Sequence, residues 1–556
     1  MEFAVHPEIP TYTGGLGILA GDTIRAAADM GLPAVGITLL HRKGYFRQYL
    51  DFHGNQTESE YNWSPEHLME KLELRVKIDV EGRPVHLRVW RYSIKGITGH
   101  SVPVYFLDTC LQENSPYDRE LTDYLYGGDP RYRLCQEMVL GFGGIGALRA
   151  LGYMDIHAYH MNEGHSAMVT LALMEEQAWG RGLLSLNQDD IVSVSKRCVF
   201  TTHTPMPAGH DEFGLDLVRS ILGNDRTDFL IKTKVCSNGF LNMTNLALNY
   251  SRYVNGVSMR HEEVARKILN NHHIDAVTNG VHAVTWTSRP FCQLYDSFIP
   301  QWRRDNLYLK HAIRIPLEDI RRAHSEAKLE LLQEVGRRTA IRLDPEILTI
   351  GFARRATGYK RPTLLFHNIE RLKAIAERGQ RIQLIYGGKA HPRDDGGKSL
   401  IRQIFEASRT LKESITVVYI EEYDINLAKY LISGVDLWLN TPQKPLEASG
   451  TSGMKAALNG IPTFSILDGW WIEGHIEGVT GWSIGDGWES LSNLESESAS
   501  LYDKLEKVIL PMYYDRPEEY ASVMRSAISC NGSYFNAQRM VTQYLQNAYL
   551  RNLNNL

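Results

Sequence analysis

The chain has 556 residues, of which 43% are hydrophobic and 22% charged, and its formal net charge is −5. This balance is typical of a folded globular protein with two or more domains. The 60 basic residues do not outnumber the 65 acidic ones, so no overall charge draws the chain to nucleic acid or to an anionic membrane. No apolar run approaches the ~18 residues of a membrane-spanning helix. We therefore expect neither partner, and any bound anion must be held by a local cluster of cations.

The six cysteines lie far apart in the sequence, and no two of them form a Cys-x-x-Cys pair. Such spacing is typical of reduced thiols rather than of a disulfide framework or a zinc site. The sequence therefore predicts a cytoplasmic protein. The 20 histidines include no His-Glu-x-x-His motif, so we predict no metal site.

The first half of the chain mixes strands and helices. Alternating residues over 72–94 predict a β-hairpin with its turn at 81–84, Glu-Gly-Arg-Pro. Segments 34–40, 157–161 and 199–202 predict strands, and each leads into a loop that contains glycine or histidine.

The second half alternates short apolar strands with helical segments. The predicted strands are 347–352, 382–386, 415–420, 437–439 and 463–467, and the predicted helices are 362–378, 398–411, 426–433 and 453–458. This alternation predicts a parallel, doubly wound sheet. Such sheets bind ligands at the carboxyl ends of their strands, so the residues that follow each strand are candidates for a site.

The sequence therefore predicts an α/β fold in four parts. These are an N-terminal lobe over 1–300, a charged helical connecting segment over 301–342, a C-terminal Rossmann-like lobe over 343–500 and a helical tail over 501–556. Two α/β lobes joined in this way are typical of an enzyme whose site is shared between the lobes.

The densest motif is the segment 447–460, Glu-Ala-Ser-Gly-Thr-Ser-Gly-Met-Lys-Ala-Ala-Leu-Asn-Gly. Backbone N–H groups at such a turn, at the start of a helix, form a nest for an anion, and Thr451 and Ser452 add hydroxyl donors. Lys455 lies one turn into the helix, where a lysine can hold an aldehyde cofactor as a Schiff base. The alternative is a Gly-rich loop that caps a surface helix, and the pattern alone does not choose between the two.

A second motif follows the first strand of the C-terminal half. Four cations lie within eight residues, at Arg354, Arg355, Lys360 and Arg361. Arginine forks hold phosphate oxygens in a bidentate way, and a lysine adds a point charge. A solvated basic loop is the alternative, but the position after a buried strand favours a phosphate site.

Two further kinds of loop suggest ligand contacts. The Gly-rich segment 12–22 enters a helix and offers backbone N–H groups to an anion, although alone it is a weak signal. Histidine loops occur at 162–165, 202–205, 254–261 and 279–282, and their planar polar groups suit a carbohydrate. For any single histidine among them, a structural hydrogen bond is the alternative.

These motifs, in their order along the chain, resemble the glycogen, starch and maltodextrin phosphorylase family, above all its shorter bacterial and archaeal branch. The family's cofactor-lysine signature is similar to EASGTSGMKAALNG, its phosphate loop to ARRATGYKR and its Gly-rich loop to YTGGLGILAGD. Further similar segments are YGGDPRYRLCQEMVLGFGG, HMNEGHSA, FTTHTPMPAGHD, NMTNLALNYSRYVNGVSMRH, TNGVHAVTW, YGGKAHPRDDGGK and EEYDINLAKYL. Family members carry further sequence, including a strand, before the segment that Met1 begins here, so the resemblance implies either a fragment or a misassigned start.

The resemblance implies a glycosyltransferase-B fold, in which two Rossmann-like lobes enclose the active site in the cleft between them. It also implies pyridoxal 5'-phosphate, bound covalently by Lys455. The other residues that it places at the cofactor are Trp286 near the ring, Arg354, Tyr423, Thr451 and Ser452 around the phosphate, and Gly450 and Gly15.

The resemblance further implies the phosphorolysis of α-1,4-glucan by inorganic phosphate, with retention, to α-glucose 1-phosphate. In the mechanism that the resemblance implies, the substrate phosphate protonates the leaving oxygen and the cofactor phosphate acts as a proton relay. The implied catalytic residues are Arg355, Lys360, His261 and Lys455, of which Arg355 and Lys360 bind the substrate phosphate. The implied substrate contacts are Glu447, Ser449, Gly450, Asn279 and His261 at the terminal glucose, His203 towards the acceptor sugars, and Gly15 and Leu16.

Two other functions remain open from the sequence. One is a nucleotide-sugar glucosyltransferase of the glycogen synthase type, against which the lysine motif stands, and whose usual Lys-x-Gly-Gly-Leu is here Tyr-Thr-Gly-Gly-Leu at 12–16. The other is a non-catalytic glucan-binding relative, against which the intact cation loop and lysine stand. The sequence leaves open the preferred glucan and whether the chain forms a homo-oligomer.

Overall fold

The computed structural model describes residues 1–205, 209–269, 272–378 and 380–550. The chain forms two compact units: the first is Met1–Phe46, Glu60–Val277 and Val541–Leu556, and the second is Arg47–Ser59 and Thr278–Met540. The division predicted at residues 300, 342 and 500 stays a prediction. Within the described part of the chain, we find no helix with the length and hydrophobicity of a membrane span.

The chain alternates strands and helices along most of its length. The strands are β1 Gly36–Leu39, β2 Arg47–Leu50, β3 Gln56–Ser59, β4 Glu70–Val80, β5 Arg83–Lys95, β6 Ser101–Asp108, β7 Tyr159–Asn162, β8 Cys198–Thr201, β9 Glu212–Gly214, β10 Cys236–Ser237, β11 Phe240–Asn242, β12 Tyr253–Gly256, β13 Asp275–Ala276, β14 Leu348–Ala353, β15 Ile382–Gly387, β16 Thr416–Ile420, β17 Leu437–Asn440, β18 Thr463–Ile466 and β19 Gly481–Ile484.

The α-helices are α1 Gly15–Asp29, α2 Pro116–Arg119, α3 Pro130–Met138, α4 Gly144–Ala150, α5 Met168–Gln177, α6 Gln188–Ser195, α7 Leu215–Leu222, α8 Asn224–Lys232, α9 Met243–Asn249, α10 Met259–Ile268, α11 Ala283–Trp286, α12 Arg289–Phe298, α13 Leu317–Thr339, α14 Ile369–Glu377, α15 Asp395–Leu411, α16 Ile425–Gly434, α17 Ser452–Ala457, α18 Trp471–Gly474, α19 Leu494–Lys504, α20 Leu510–Asp515, α21 Pro517–Ser526 and α22 Ala537–Tyr544. The 3₁₀ segments include Asn306–Arg314 and Gly358–Lys360, and π segments include Val139–Gly143 and Ala527–Gly532.

The first unit contains a mixed sheet in the order β1-β6-β5-β4. The antiparallel pair β4 and β5 confirms the predicted hairpin. Its loop is only Glu81–Gly82, with φ of 54° and 71°, so the turn is shorter than the predicted 81–84. Two residues at positive φ are the pattern of a type I′ turn, whose twist matches that of the strands.

The first unit also contains a parallel sheet in the order β13-β12-β8-β7. Strands β7 and β8 lie within two residues of the predicted segments 157–161 and 199–202. Every residue of β8 and β12 is buried, as expected for parallel strands that are covered on both faces. Three residues of the quoted segment FTTHTPMPAGHD, numbered 206–208, lie outside the described residues.

The second unit is built on a parallel sheet in the order β16-β15-β14-β17-β18-β19. This confirms the parallel sheet predicted from the second half, and each of the five predicted strands coincides with β14 to β18 within one residue. Strand β19 was not predicted, because its sequence lies among glycines that are typical of a loop. Gly481 has φ of 148°, and a Cβ there would lie 2.1 Å from the carbonyl oxygen of Thr463, so the strand requires glycine at its first residue.

A β-hairpin from the early part of the chain, β2 and β3, belongs to the second unit. The Gln48 Nε2 donates to the carbonyl of Gly388 at 2.9 Å, and the Gln56 Nε2 donates to that of Ala390 at 2.8 Å. Both carbonyls lie in the loop that follows β15. The hairpin therefore holds a loop at the carboxyl edge of the large sheet, where ligands bind in such folds.

A buried polar cluster joins helix α13 to the start of β14. The Asp436 carboxylate accepts hydrogen bonds from the Lys328 Nζ at 2.6 Å, the His324 Nε2 at 2.8 Å and the Thr349 N–H at 2.7 Å. Burial acts to raise the pKa of Asp436, but the adjacent Lys328 and His324 lower it below its ordinary value. The charge of Lys328 is thus balanced only while Asp436 is ionised.

We predict that Asp436→Asn destabilises the protein by about 3–5 kcal/mol, because it leaves the buried Lys328 ammonium without its carboxylate. The measurement is the free energy of unfolding from urea titration. The control is Glu519→Gln, which removes an exposed carboxylate 2.8 Å from Arg516 and should cost less than about 1 kcal/mol. Equal losses in the two variants would contradict the role assigned to the cluster.

Candidate active site

Two of the predicted motifs meet in the second unit, at the carboxylate of Glu447. Its Oε2 lies 2.8 Å from the Arg354 Nη2 and 2.5 Å from the Lys360 Nζ. All three side chains are at least nine-tenths buried. Burial acts to raise the pKa of Glu447, but the two cations lower it below its ordinary value. One negative charge therefore faces two positive charges, which favours the binding of a further anion.

The main chain around Glu447 is held in place by the segment that follows β18. The Glu447 N–H donates to the Asp468 Oδ2 at 2.9 Å. Gly469 has φ of 56°, and a Cβ there would lie 2.5 Å from the carbonyl oxygen of Ser449. Gly450 also has positive φ, of 86°. The sequence analysis gave Asp468 and Gly469 no role, although a glycine at the end of a strand is a signal that could have identified them.

Arg354 rests on the neighbouring strand end. The Arg354 N–H donates to the carbonyl of Gly387 at 3.1 Å. A Cβ on Gly388 would lie 1.9 Å from the carbonyl oxygen of Arg354. Only glycine fits at 388, where φ is 142°. Tyr423 lies against Gly387: burial raises the pKa of its hydroxyl, and the charge of Arg354 acts in the opposite direction. The structure thus brings Tyr423 close to Arg354.

The four cations of the second motif have different environments. Arg355 is exposed, whereas Lys360 is buried and lies over the ring of Tyr359. The Arg361 guanidinium donates to the carbonyls of Thr441 and Pro442 and pairs with Glu497 at 2.6 Å. Arg361 therefore stabilises the loop itself, which leaves Arg354, Arg355 and Lys360 as the candidate ligands of phosphate.

Lys455 lies inside the start of helix α17, with its ammonium 4.0 Å from the ring centroid of Trp286. Both residues are buried. The Asn459 amide joins them, since its Nδ2 donates to the carbonyls of Trp286 at 2.9 Å and Lys455 at 3.1 Å. Asn459 was quoted in the motif without a role, because the contact with Trp286 spans 173 residues.

The turn before α17 has the features of an anion site. The Ser452 Oγ accepts a hydrogen bond from the Trp438 indole at 3.0 Å, which leaves its own hydrogen available as a donor. Thr451 precedes it at the N-cap position of the helix. Helix N-termini with glycines favour phosphate groups. A lysine beside an aromatic ring and next to such a turn fits an aldehyde cofactor that carries a phosphate.

The buried polar atoms of the second unit that have no hydrogen-bond partner among the described residues include the Ser449 Oγ and the Asn279 Oδ1. Native proteins rarely leave such atoms unsatisfied, so each marks a position where a ligand hydroxyl or a water can bind. Both residues were predicted to contact the terminal glucose. The exposed fraction is 6% for Ser449 and 3% for Asn279.

In the first unit, the Gly-rich turn before α1 is already bound to an internal anion. The Glu2 Oε2 accepts from the N–H groups of Thr13 at 2.9 Å, Gly14 at 3.2 Å and Gly17 at 3.3 Å. The sequence did not identify Glu2, because Glu2 lies 11 residues before Thr13 and no local spacing pattern links the two. Gly15 is exposed and Leu16 half-buried. Their contacts to a substrate stay predictions.

The first unit also places His203 and His261. The His203 N–H donates to the Glu163 Oε2 at 2.7 Å, and its Nε2 lies 2.6 Å from the Asn162 Oδ1. Burial lowers the pKa of His203 to about 3 and that of His261 to about 4. Both rings are therefore neutral at pH 7, and a ring nitrogen that makes no bond within the protein can bind a hydroxyl group. Glu163, which also accepts from the Thr204 hydroxyl, was quoted without a role.

Comparison with known proteins identifies the family. A family model described as carbohydrate phosphorylase matches residues 212–481. The maltodextrin phosphorylase of Thermococcus litoralis is 37% identical, over all of this chain and 70% of the relative. The glycogen phosphorylase of Aquifex aeolicus is 34% identical, over 99% of this chain and 85% of the relative. The glycogen phosphorylase of Mycobacterium tuberculosis is 35% identical, over 99% of this chain and 70% of the relative. The chain belongs to the carbohydrate phosphorylase family.

Proposed function

We propose that the chain is an α-glucan phosphorylase, which transfers the terminal α-1,4-linked glucose of glycogen or maltodextrin to inorganic phosphate. The product is α-D-glucose 1-phosphate, with the configuration retained. The observation that carries the proposal is the buried group in which Arg354 and Lys360 share the single carboxylate of Glu447. The names of the relatives from Thermococcus litoralis and Aquifex aeolicus support it.

The proposal includes the two-lobed glycosyltransferase-B arrangement, with the active site in the cleft between lobes. The family membership and the parallel sheets found in each unit support this arrangement. The cytoplasmic location stays a prediction.

Pyridoxal 5'-phosphate is the proposed cofactor, held covalently by Lys455 with its ring near Trp286. Its phosphate would be held by Thr451, Ser452, Gly450, Arg354 and Tyr423, with Gly15 close by. Bound there, the cofactor supplies a phosphate whose second pKa near ~6 suits proton exchange at neutral pH. The buried setting of Lys455 against an indole supports this assignment.

The substrate phosphate is assigned to Arg355 and Lys360. Two phosphates close together repel each other. Near a protein surface, the repulsion between two unit charges 4 Å apart is about 4 kcal/mol. Arg354, Arg355 and Lys360 offset this repulsion. Glu447 carries one negative charge and contacts two buried cations, so one positive charge is left for a phosphate. When the phosphate binds, the Glu447 carboxylate can still pair with the other cation.

The terminal glucose is assigned to Glu447, Ser449, Gly450, Asn279 and His261, and Leu16 is assigned to the substrate without a more specific place. The unsatisfied atoms of Ser449 and Asn279 support this assignment, because sugar hydroxyls can satisfy them. His203 is assigned to the acceptor sugars. At pH 7 the neutral imidazoles of His261 and His203 bind hydroxyls without adding positive charge beside the cation that forms at the sugar.

The direct test is to incubate the protein with maltoheptaose and pyridoxal phosphate, with and without inorganic phosphate, and to follow the products by NMR. We expect α-glucose 1-phosphate only when phosphate is present, without a metal or a nucleotide. Free glucose formed without phosphate, or the β-anomer of the sugar phosphate, would contradict the proposal.

The substrate-phosphate assignment is tested by Arg355→Ala. Loss of one charge-assisted contact should remove about 2–4 kcal/mol of transition-state stabilisation, measured as kcat/KM for phosphate. Cofactor absorbance should be unchanged. The control is Arg378→Ala, since Arg378 is exposed and forms a surface ion pair with Glu506. The assignment fails if Arg355→Ala retains the activity of the control.

A further inference from the structure

The C-terminal segment 534–540 is paired with the loop 278–282, which carries Asn279. The Val281 N–H donates to the carbonyl of Phe535 at 3.0 Å, and the Ala537 N–H donates back to the carbonyl of Val281 at 2.8 Å. A Cβ on Gly280 would lie 2.1 Å from the carbonyl oxygen of Asn536. The two segments therefore meet backbone against backbone, and a side chain at 280 is excluded.

Arg539, in α22, adds two bonds to the same loop. Its Nη1 donates to the carbonyl of Thr278 at 2.6 Å, and its Nη2 donates to that of Asn279 at 2.8 Å. Its Nε donates to the carbonyl of Tyr534 at 2.9 Å, and the guanidinium lies over the Tyr534 ring. The rigid fork of a guanidinium fixes both acceptors at once, which a lysine cannot reproduce.

The bonded carbonyls are those of Asn279 and of the residue before it. The main chain at Asn279 sets the direction in which its side chain leaves the backbone. Arg539 holds this main chain on one side and the pairing of Val281 holds it on the other. The Asn279 Oδ1 is buried and has no hydrogen-bond partner among the described residues, so the side chain is held ready for a ligand rather than for a protein contact.

We propose that Arg539 is a positioning residue of the glucosyl site, which fixes the Asn279 side chain for a sugar hydroxyl by binding two successive carbonyls of its loop. This inference rests on the proposed function, which assigns Asn279 to the terminal glucose. It gives the C-terminal helical segment a part in substrate binding, although Arg539 does not itself touch the sugar.

The test uses α-D-glucose as the probe and calorimetry on the cofactor-loaded protein as the readout. Arg539→Gln should weaken glucose binding on the order of tenfold, as for one lost hydrogen bond, while the affinity for inorganic phosphate stays unchanged. Arg539→Lys should fall between this variant and the wild type. The control is Arg525→Gln, in α21, since Arg525 likewise donates to a main-chain carbonyl, that of Ile315 at 3.2 Å, and should leave both affinities unchanged.

A double-mutant cycle separates positioning from general stability. If Arg539 acts through Asn279, Arg539→Gln should add less than about twofold to the loss already caused by Asn279→Ala. An additional tenfold loss in that background would overturn the inference, as would glucose binding by Arg539→Gln equal to that of the control. If Arg539→Gln does not fold, Arg539→Lys takes its place in the same cycle.

The wild-type assay keeps the two proposals distinguishable. A wild type that does not form glucose 1-phosphate from glucan and phosphate contradicts the proposed function. A wild type that forms it, with an Arg539 variant that binds glucose normally, contradicts only the role of Arg539.

Discussion

The shared carboxylate of Glu447 is the interaction on which the candidate site depends. It joins two loops that follow different strands of one parallel sheet, because Arg354 and Lys360 come after β14 and Glu447 comes after β17. Three charged groups in a buried place are costly unless each is paired, so the loops are confined to positions that keep these contacts. The excess positive charge then makes the same place attractive to phosphate.

Close backbone contacts maintain this geometry. Gly388 lets the neighbouring loop approach the carbonyl of Arg354, and Gly469 lets the next strand end approach Ser449. Glycine at these positions has no side chain to displace the charged groups. On the cofactor side, the Asn459 amide fixes the distance between Trp286 and Lys455. The side chains of Arg354 and Glu447 thus lie after strand ends and Lys455 lies in helix α17, and close contacts with neighbouring main chain hold these segments in place.

Local pattern was sufficient for much of the fold and for part of the site. Strands β14 to β18 are apolar runs separated by helical segments, and the rule that ligands bind at strand ends pointed to the cation loop with Arg354 and Lys360. The role of Glu447 came only from the resemblance to the phosphorylase family. Strand β19 was missed because its glycines resemble a loop. Glu2, Glu163 and Arg539 were missed because each acts on main-chain groups far away in the sequence, and no local spacing encodes such a contact. For the same reason, Arg361 could not be distinguished from its neighbours in the cation loop.

The central claim is that Lys455 binds pyridoxal phosphate in an α-glucan phosphorylase, and borohydride reduction followed by peptide mapping tests it most directly. The account predicts one pyridoxyl adduct, on Lys455, which the variant Lys455→Arg does not form. Lys444 and Lys389 serve as internal references in the peptide map, because they are a buried and a half-buried lysine of the same unit. An adduct on either of them, or no adduct in protein that catalyses phosphorolysis, would contradict the account.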